Sequence, residues 1–370
     1  MILKKNDFEI QYKTMVKTAL ITIVVMAILL YAPSPFVVIK PGLAVSSHSF
    51  VTVIDGSNDP NSSPIDSSSE LEQQKRGTFL LTAVLMQTPN IWDSLLSVFQ
   101  VNRTVMWKYE VLGGESAGEY AKRAMTMMQG SYDQALEAAY RYLNIAYHNE
   151  PQQLYVNTTS PLLESNSSEL LLSGDRIDGI FSDEGILPVK SVEDIAVWLN
   201  EHEEAASIEL QIERMSKLLR IVITLDNNGH NWDDVIIAKQ LAIDGFMQMR
   251  NIVPDEDKYK IEFDSSSIGG PSAGLVLTLT IVDQLTDGDL TKGRTIAVTG
   301  TIDAEGHVGA IGGIKQKVFS TDEQGAEIFI VPQGNEDEAS EKVRKLRSEM
   351  EIIAVSTLEE AMDVIASLER

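Results

Sequence analysis

The longest apolar run of the chain lies near its start. Residues 18–39 contain no charged side chain and are bounded by Lys17 and Lys40. A run of this length can cross about 30 Å of hydrocarbon as a helix. Lysines in the preceding tail, residues 1–17, predict that this tail stays in the cytoplasm. We therefore predict a single-pass anchor in the cell membrane over residues 18–39, with the rest of the chain extracellular.

Two other interpretations of this run are a cleaved signal peptide and a buried core helix. A cleaved signal peptide needs small residues at its cleavage site. The only candidate site, near Ala32, is crowded by Pro33 and Pro35, so the sequence favours an uncleaved anchor. A buried core helix is disfavoured because the run follows a lysine-bearing chain start.

The next part, residues 40–152, is expected to be an extracellular N-terminal region. Residues 56–69 are rich in Ser, Asn, Asp and Pro and predict a surface loop. An apolar run from Gly77 predicts a strand. Ser131, followed three residues later by Gln134, predicts the start of a helix that continues to about Tyr147.

Residues 153–225 have the pattern of a compact β-rich module. Strands are predicted near residues 154–156 and 171–180, and alternating strands at 207–213 and 220–225. A helix is predicted to begin near Ser191. The turn Gly174-Asp175-Arg176-Ile177, followed by a strand and this helix, resembles a PDZ domain, a fold that binds extended peptides at a sheet edge. An unrelated α+β spacer is the alternative.

The last part, residues 226–370, alternates helices and strands. A helix is predicted over Asp233–Met249 and a strand over Tyr259–Phe263. Further strands are predicted at residues 295–299, 326–331 and 351–355, with helices after the last two. The predicted fold class is therefore multidomain α+β and α/β, with an N-terminal transmembrane helix, a PDZ-like module and a C-terminal catalytic domain.

The composition of the chain excludes several classes of function. The chain has 370 residues, enough for two or three domains. Its formal charge of −24 argues against nucleic-acid binding and favours basic peptides as partners. With no cysteine it has no disulfide and no thiolate nucleophile, and its five histidines lack metal-ligand spacing. No P-loop motif is present, so we expect no nucleotide, metal or other cofactor.

The candidate nucleophile is Ser272, in the sequence Gly-Pro-Ser-Ala-Gly at residues 270–274. Small neighbours leave its hydroxyl accessible, and an apolar run typical of a helix follows. A helix start offers backbone N–H groups that can hold an oxyanion. The pattern also fits the nucleophile elbow of α/β-hydrolases, which would need His307 as the base. An ordinary tight turn is the third interpretation.

Two further motifs follow the serine: Thr-Gly-Thr at residues 299–301, and Gly-Gly-Ile-Lys-Gln-Lys at residues 312–317. The three motifs together resemble the proteolytic domain of Lon-type peptidases, family S16, over residues 226–370. The resemblance implies that Ser272 attacks the peptide carbonyl and that Lys317 is its base. It also implies that Thr299 hydrogen-bonds this lysine.

The choice between two lysines depends on the motif. The spacing from serine to lysine is two residues longer here than in ATP-dependent Lon enzymes, and counting from Ser272 alone would select Lys315. Because residues i and i+2 of a helix point about 200° apart, Lys315 and Lys317 cannot both face the serine. Burial is expected to lower the pKa of the catalytic lysine to roughly 7–8, so that it can act as a base. Gly269 replaces the aspartate that ATP-dependent Lon enzymes carry three residues before the serine.

The order of anchor, PDZ-like module and Lon-like domain resembles the membrane-anchored PDZ–Lon serine peptidases of Gram-positive bacteria (the SepM and YlbL type). This implies ATP-independent cleavage of small or unfolded secreted and membrane-associated peptides at the outer cell surface. Expected partners are peptide or protein substrates, which the PDZ-like module would bind, and the membrane; a homo-oligomer stays open. The alternative function is a tethered peptide-binding scaffold with an inactive peptidase domain, and a serine–histidine esterase using His307 is a third.

Overall fold

The protein is described from a computed structural model. It covers residues 2–54, 77–114, 116–157, 171–172, 174–214, 216–225, 232–243, 245–264 and 268–368, with side chains from residue 12 onward. The predicted surface loop at residues 56–69 lies outside these described residues.

The described segments form a mixed α/β structure. The α-helices are α1 (Ile2–Tyr31), α2 (Ile91–Val98), α3 (Lys108–Leu112), α4 (Ala117–Tyr142), α5 (Val192–Glu201), α6 (Asp234–Gln240), α7 (Gly274–Leu285), α8 (Ile314–Glu323), α9 (Glu336–Leu346) and α10 (Leu358–Ser367). The strands before the second half of the chain are β1 (Phe36–Ser46), β2 (Val51–Val53), β3 (Thr78–Gln87), β4 (Thr104–Trp107), β5 (Tyr147–Asn157), β6 (Arg176–Ser182) and β7 (Gly185–Pro188). The later strands are β8 (Ser207–Arg214), β9 (Lys217–Thr224), β10 (Gly245–Pro254), β11 (Ile261–Phe263), β12 (Thr295–Val298), β13 (Thr301–Ile302), β14 (Val308–Gly309), β15 (Ile328–Pro332) and β16 (Glu351–Val355).

The main sheet has six strands in the order β16-β15-β12-β3-β1-β4. The pairs from β16 to β3 are parallel, and β1 pairs antiparallel with β3 and with β4. Helix α7 packs on one face of this sheet, and Leu275, Leu277 and Leu279 are fully buried there. A helix that is apolar on all sides, as α7 is, belongs in a protein core.

The N-terminal helix ends earlier than predicted. Helix α1 ends at Tyr31, and its segment Tyr12–Tyr31 is long and apolar enough to cross a membrane. Pro33 and Pro35 follow, and proline cannot continue a helix. The predicted anchor at residues 18–39 is therefore too long at its C-terminal end. Its last residues belong to β1, where Val37 and Val38 are fully buried.

The predicted boundary between an N-terminal region, residues 40–152, and the C-terminal domain does not follow the sheet. Strands β1 and β3 come from the first region, yet β3 pairs with β12 of the last. Helix α4 packs against α7, and the buried residues of both belong to one core. Residues 36–53 and 78–142 therefore complete the same domain as residues 261–368. Pairing between distant strands leaves no mark in local sequence patterns, which is why the boundary was wrong.

The residues between these two parts form a second sheet, in the order β10-β5-β6-β8-β9, with β7 paired to β6. The predicted helix from Ser191 and the two alternating strands are present. The predicted domain boundary at residue 226 is not observed, because β10 lies beyond it and pairs with β5 of this sheet. Consequently the predicted helix over Asp233–Met249 stops after Gln240, and Gly245 starts a strand. Tertiary pairing overrides the local helical pattern there.

Helix α4 also begins earlier than predicted. It starts at Ala117 rather than near Ser131, and it ends at Tyr142. The Ser116 hydroxyl accepts from the Glu119 N–H, and the Glu119 carboxylate accepts from the Ser116 N–H, which is a capping box. The prediction placed this capping signature at Ser131 and Gln134 instead. The extra turns matter because residues 124–131 contact the loop that carries Ser272.

A cluster of charged side chains joins α4 to β10. Glu137 is almost fully buried and pairs with Arg250 at 2.8 Å and with Arg141 at 2.9 Å. Asp133 accepts the backbone N–H of Arg250 at 2.9 Å. Burial raises the pKa of Asp133 to about 6, and the Arg250 N–H and side chain oppose this rise. The second sheet is thus fastened to the helix that supports the serine loop.

Replacing Asp133 by asparagine is expected to stabilise the protein at pH 7 by about 1–3 kcal/mol. The raised pKa means that the folded state holds a proton more tightly than the unfolded chain, so this carboxyl lowers stability as pH rises from about 4 to about 6. The amide oxygen of asparagine can still accept the Arg250 N–H. Urea unfolding of the full chain in mild detergent measures the effect.

The matched control is Asp257→Asn, which removes an exposed charge and should leave stability unchanged. A gain from Asp133→Asn that vanishes below about pH 4 is the expected pattern. A loss of stability at pH 7 would show that the Asp133 charge holds the second sheet to α4.

Candidate active site

The serine loop is shaped by glycine and proline. Gly270 has a φ of 95°, a conformation that side chains rarely allow, and Pro271 begins a short 3₁₀ helix, Pro271–Ala273. This turn runs directly into α7. The backbone N–H of Ser272 belongs to the first turn, where a helix offers no acceptor of its own. Ser272 is half-buried, with its hydroxyl at the start of the helix.

Helix α4 holds this loop from behind. The N–H of Gly270 donates to the carbonyl of Ala124 at 2.7 Å. The Ser131 hydroxyl donates to the carbonyl of Pro271 at 3.2 Å. The sequence pattern marked Ser131 only as a predicted helix start, and it gave no sign of the role of Ala124. The signal that places both residues inside a helix is the capping box at Ser116.

Gly269 is also explained by this packing. A Cβ at this position would stand 3.0 Å from the Cβ of Ala124 and 3.3 Å from its carbonyl carbon. That is closer than ordinary van der Waals contact, so α4 would have to move to admit a larger side chain. The approach of α4 therefore favours glycine three residues before Ser272.

Lys317 reaches the serine from α8. Its side chain is 1% exposed, and its Nζ lies 2.8 Å from the Ser272 Oγ. The same nitrogen lies 2.9 Å from the Thr299 Oγ1 and 3.1 Å from the Thr82 carbonyl oxygen. The structure thus brings together Ser272, Lys317 and Thr299, which are the three residues that the motifs selected. It adds Thr82 of β3, whose backbone contribution no side-chain motif could reveal.

The hydrogen-bond partners of Lys317 determine the orientation of its amine. The Thr299 hydroxyl donates to the Ser272 carbonyl at 3.1 Å, so its oxygen accepts from Lys317. The Thr82 carbonyl can only accept. A neutral amine has two hydrogens, and these two acceptors use both. The remaining direction, which holds the nitrogen lone pair, faces the Ser272 hydroxyl.

The electrostatics fit a base at this position. Burial lowers the pKa of Lys317 to about 7, because the apolar surroundings disfavour the ammonium form. Lys315 differs although it is only two residues away. Its side chain is 43% exposed and pairs with Glu338 at 2.9 Å, and that hydrogen bond raises the pKa of Lys315. The two lysines point to different faces of α8, as the helix geometry predicted.

The start of α8 requires a glycine. Gly313 has a φ of 72°, in the left-handed region. A Cβ there would approach Val84 Cγ1 of β3 to 2.9 Å. Glycine therefore lets α8 pack closely on the strand that supplies the Thr82 carbonyl, and this sets the depth of Lys317 in the core.

His307 does not reach the serine. Its ring nitrogen bonds the Asp303 carboxylate at 2.8 Å on an exposed turn, and this contact raises its pKa. Among the residues that the structure describes, no hydrogen bond joins His307 to Ser272. The nucleophile-elbow interpretation, which needs His307 as the base, is therefore not supported. Nor do the described side chains include a group of three or more His, Asp or Glu that could hold a metal ion.

Comparisons with known proteins identify a sequence family whose model covers this segment of the chain. Residues 263–367, which include Ser272, Thr299 and Lys317, match the family described as the Lon protease (S16) C-terminal proteolytic domain. The "Lon protease" of Chloroflexus aggregans is 35% identical over 97 residues, 26% of this chain and 12% of that protein. The peroxisomal "Lon protease homolog 2" of Caenorhabditis elegans is 36% identical over 99 residues, 27% of this chain and 12% of that protein.

A third relative, the "Lon protease" of Rickettsia bellii, is 33% identical over 94 residues, 25% of this chain and 12% of that protein. The chain therefore spans only about one eighth of the length of these relatives. The segment that matches the family, residues 263–367, holds the serine loop and α8. Residues 263–367 are therefore similar in sequence to the C-terminal proteolytic domain of the Lon protease (S16) family, which is a family of serine peptidases.

Proposed function

We propose that the protein is a serine endopeptidase that uses Ser272 and Lys317 as a catalytic dyad. The observation that carries the proposal is the 2.8 Å contact between a half-buried serine hydroxyl and a buried lysine amine whose pKa lies near 7. A neutral amine at that distance can take the serine proton, which is what hydroxyl attack on a peptide requires.

The mechanism follows from the contacts. The Ser272 oxygen attacks the peptide carbonyl carbon while its proton passes to Lys317. The tetrahedral oxyanion is stabilised by backbone N–H groups at the start of the helix, among them that of Ser272. The ammonium of Lys317 then gives its proton to the departing amine, and an ester on Ser272 remains. Water attacks this ester while Lys317 takes its proton, and Lys317 then passes that proton to the departing Ser272 oxygen, which restores the serine hydroxyl and the neutral amine.

Thr299 acts as a positioning residue for Lys317, because it contacts the amine and the Ser272 carbonyl. Thr299→Val is expected to lower kcat about 10-fold, since one buried hydrogen bond to the amine is lost. The hydroxyl oxygen favours the charged amine, so the midpoint of the pH–rate profile should also move to lower pH. Thr299→Ser should restore both quantities. A variant with reduced kcat and an unmoved midpoint would indicate a merely structural role.

We further propose that the enzyme works without ATP and resembles the membrane-anchored PDZ–Lon peptidases of Gram-positive bacteria. The apolar helix α1 supports an anchor in the membrane. The sequence contains no P-loop motif, so compact folded proteins should be poor substrates, and small or unfolded peptides good ones. The strand order of the second sheet leaves β9 and β10 at its ends, where a PDZ-like module would receive an extended peptide.

The test is turnover of an unstructured, weakly basic peptide by the full chain in mild detergent, with and without ATP. We expect equal cleavage in both conditions, with products identified by mass spectrometry. Lys315→Ala and His307→Ala should cleave as the wild type does. Peptide binding without any cleavage would replace this function by the tethered scaffold, and loss of cleavage with His307→Ala would favour an esterase-like site.

A further inference from the structure

Helix α2 is amphipathic in the reverse sense. Its buried side chains are polar: Ser94 is 2% and Ser97 is 1% exposed. Three of its apolar side chains face outward: Leu95 is 52%, Leu96 44% and Val98 64% exposed, whereas Ile91 and Trp92 are half-buried. A helix on a water-facing surface normally buries its apolar side and exposes its polar side. The environment outside α2 is therefore expected to be less polar than water.

The inward serines have polar partners, so this orientation is specified by the structure. The Ser94 hydroxyl contacts the Ser34 hydroxyl at 2.7 Å and the Asn90 carbonyl at 2.8 Å. The Ser97 hydroxyl accepts from Arg103 at 3.1 Å. Rotating the helix so that these serines faced outward would break these hydrogen bonds. It would not bury any other polar group of the helix with a hydrogen-bond partner.

The exposed apolar side chains continue beyond the helix. Together they form what we name the apolar patch: Leu95, Leu96, Val98, Phe99, Val101 and Trp107, which are between 44% and 82% exposed. The segment 94–102 contains no charged residue. A contiguous apolar surface of this kind on a soluble domain marks a membrane or protein contact. Trp107 also has the amphipathic ring that is enriched at membrane interfaces.

The position of the patch identifies its partner. Helix α2 contacts α1, the helix that can cross a membrane. A backbone bridge joins Pro33, just after the end of α1, to Asn90, which caps α2. The patch therefore begins at the end of the helix that is apolar enough to cross a membrane. If α1 spans a bilayer, the nearest apolar phase to the patch is the lipid around α1.

We propose that the apolar patch inserts into the outer leaflet of the bilayer that α1 spans, and so holds the peptidase domain on the membrane surface. This rests on the proposed anchoring by α1. The partner is lipid, reached through side chains at the acyl–headgroup boundary. Strand β4, which carries Trp107, is the edge of the main sheet, so this edge would face the membrane. The domain would then have a fixed orientation instead of swinging on a single tether.

The natural absence of cysteine makes the test direct. Single-cysteine variants of the full chain are labelled with an environment-sensitive fluorophore and reconstituted into phosphatidylcholine–phosphatidylglycerol vesicles. Phe99→Cys probes the patch. Leu218→Cys is the control, because Leu218 is 64% exposed on β9 of the second sheet. We expect blue-shifted emission and several-fold stronger quenching by spin-labelled lipid at position 99 than at position 218.

Each alternative result is informative. A chain that floats with the vesicles while the label at position 99 reports water overturns the patch inference and leaves the anchor intact. A chain that does not float with the vesicles overturns both the patch inference and the proposed anchor. A label that is shielded but not quenched by lipid, and that becomes exposed when the protein is diluted to one copy per vesicle, would assign the patch to a second copy of this chain.

Discussion

Replacing Lys317 by alanine is expected to lower kcat/KM for peptide cleavage by about 10²–10⁴-fold, the usual contribution of a general base. The substitution removes the only side-chain amine within hydrogen-bond distance of Ser272 among the described residues. Ser272→Ala should remove turnover at least as completely, because no other hydroxyl occupies its place at the start of the helix. Initial rates with an unstructured peptide measure both effects.

The control for this prediction lies on the same helix. Lys315→Ala makes the same side-chain truncation at a lysine that is 43% exposed and pairs with Glu338, and kcat/KM should stay within about twofold. The double variant of Ser272 and Lys317 should be no worse than Ser272→Ala alone, since the two groups act as a unit. If Lys315→Ala were the inactive variant, the assignment of the lysine would be wrong by two residues.

The activity is also expected to rise steeply with pH. Only the neutral amine of Lys317 can accept the Ser272 proton, and its pKa is about 7. Below that pH the neutral fraction falls tenfold per pH unit, and kcat/KM should fall with it. Above it the rate should level off, because the amine is already neutral. An unperturbed lysine, with a pKa of about 10.4, would instead give a rate still rising at pH 9.

This profile is measured as kcat/KM from pH 5 to pH 9 at constant ionic strength, which reports groups of the free enzyme. His307→Ala serves as the control, because His307 is the base that the nucleophile-elbow interpretation requires, and it is exposed and paired with Asp303. Its midpoint should match that of the wild type. A midpoint that disappears with His307→Ala would assign the base to the histidine.

Local patterns predicted the elements whose burial and periodicity agree with their tertiary setting. The strand at residues 351–355 has the predicted bounds, and the apolar run after Ser272 is the buried helix α7. The errors fall where distant segments decide the outcome. Residues 36–39 look like the end of a membrane span, but they pair with β3 and β4. The sequence pattern predicts a helix for Gly245 and the residues after it, but these residues pair with β5.

The candidate site was predictable only as far as its motifs extend. Ser272, Thr299 and Lys317 come from short sequence motifs, and the structure brings these three side chains together. The Thr82 carbonyl and the contact with Ala124 come from backbone, which carries no sequence signature. The depth of Lys317 likewise depends on the packing of α8 against β3. Such long-range contacts explain why the sequence could name the side chains but not their support.

The sheet also limits how the chain can be shortened for solution work. A soluble fragment that began at residue 41 would lack the first half of β1, including the fully buried Val37 and Val38. Removal of two buried valines exposes core surface on both neighbouring strands. A fragment that begins just after Tyr31 keeps β1 and its bridge to Asn90.

The most direct test of the central claim is covalent labelling of the full chain with a fluorophosphonate, followed by intact and peptide mass spectrometry. We predict one adduct, located on Ser272, whose rate of formation rises with pH to a plateau above about 7. The adduct should form far more slowly in Lys317→Ala and at the wild-type rate in Lys315→Ala. Labelling that is absent from Ser272, or that is indifferent to Lys317, would contradict the serine–lysine dyad.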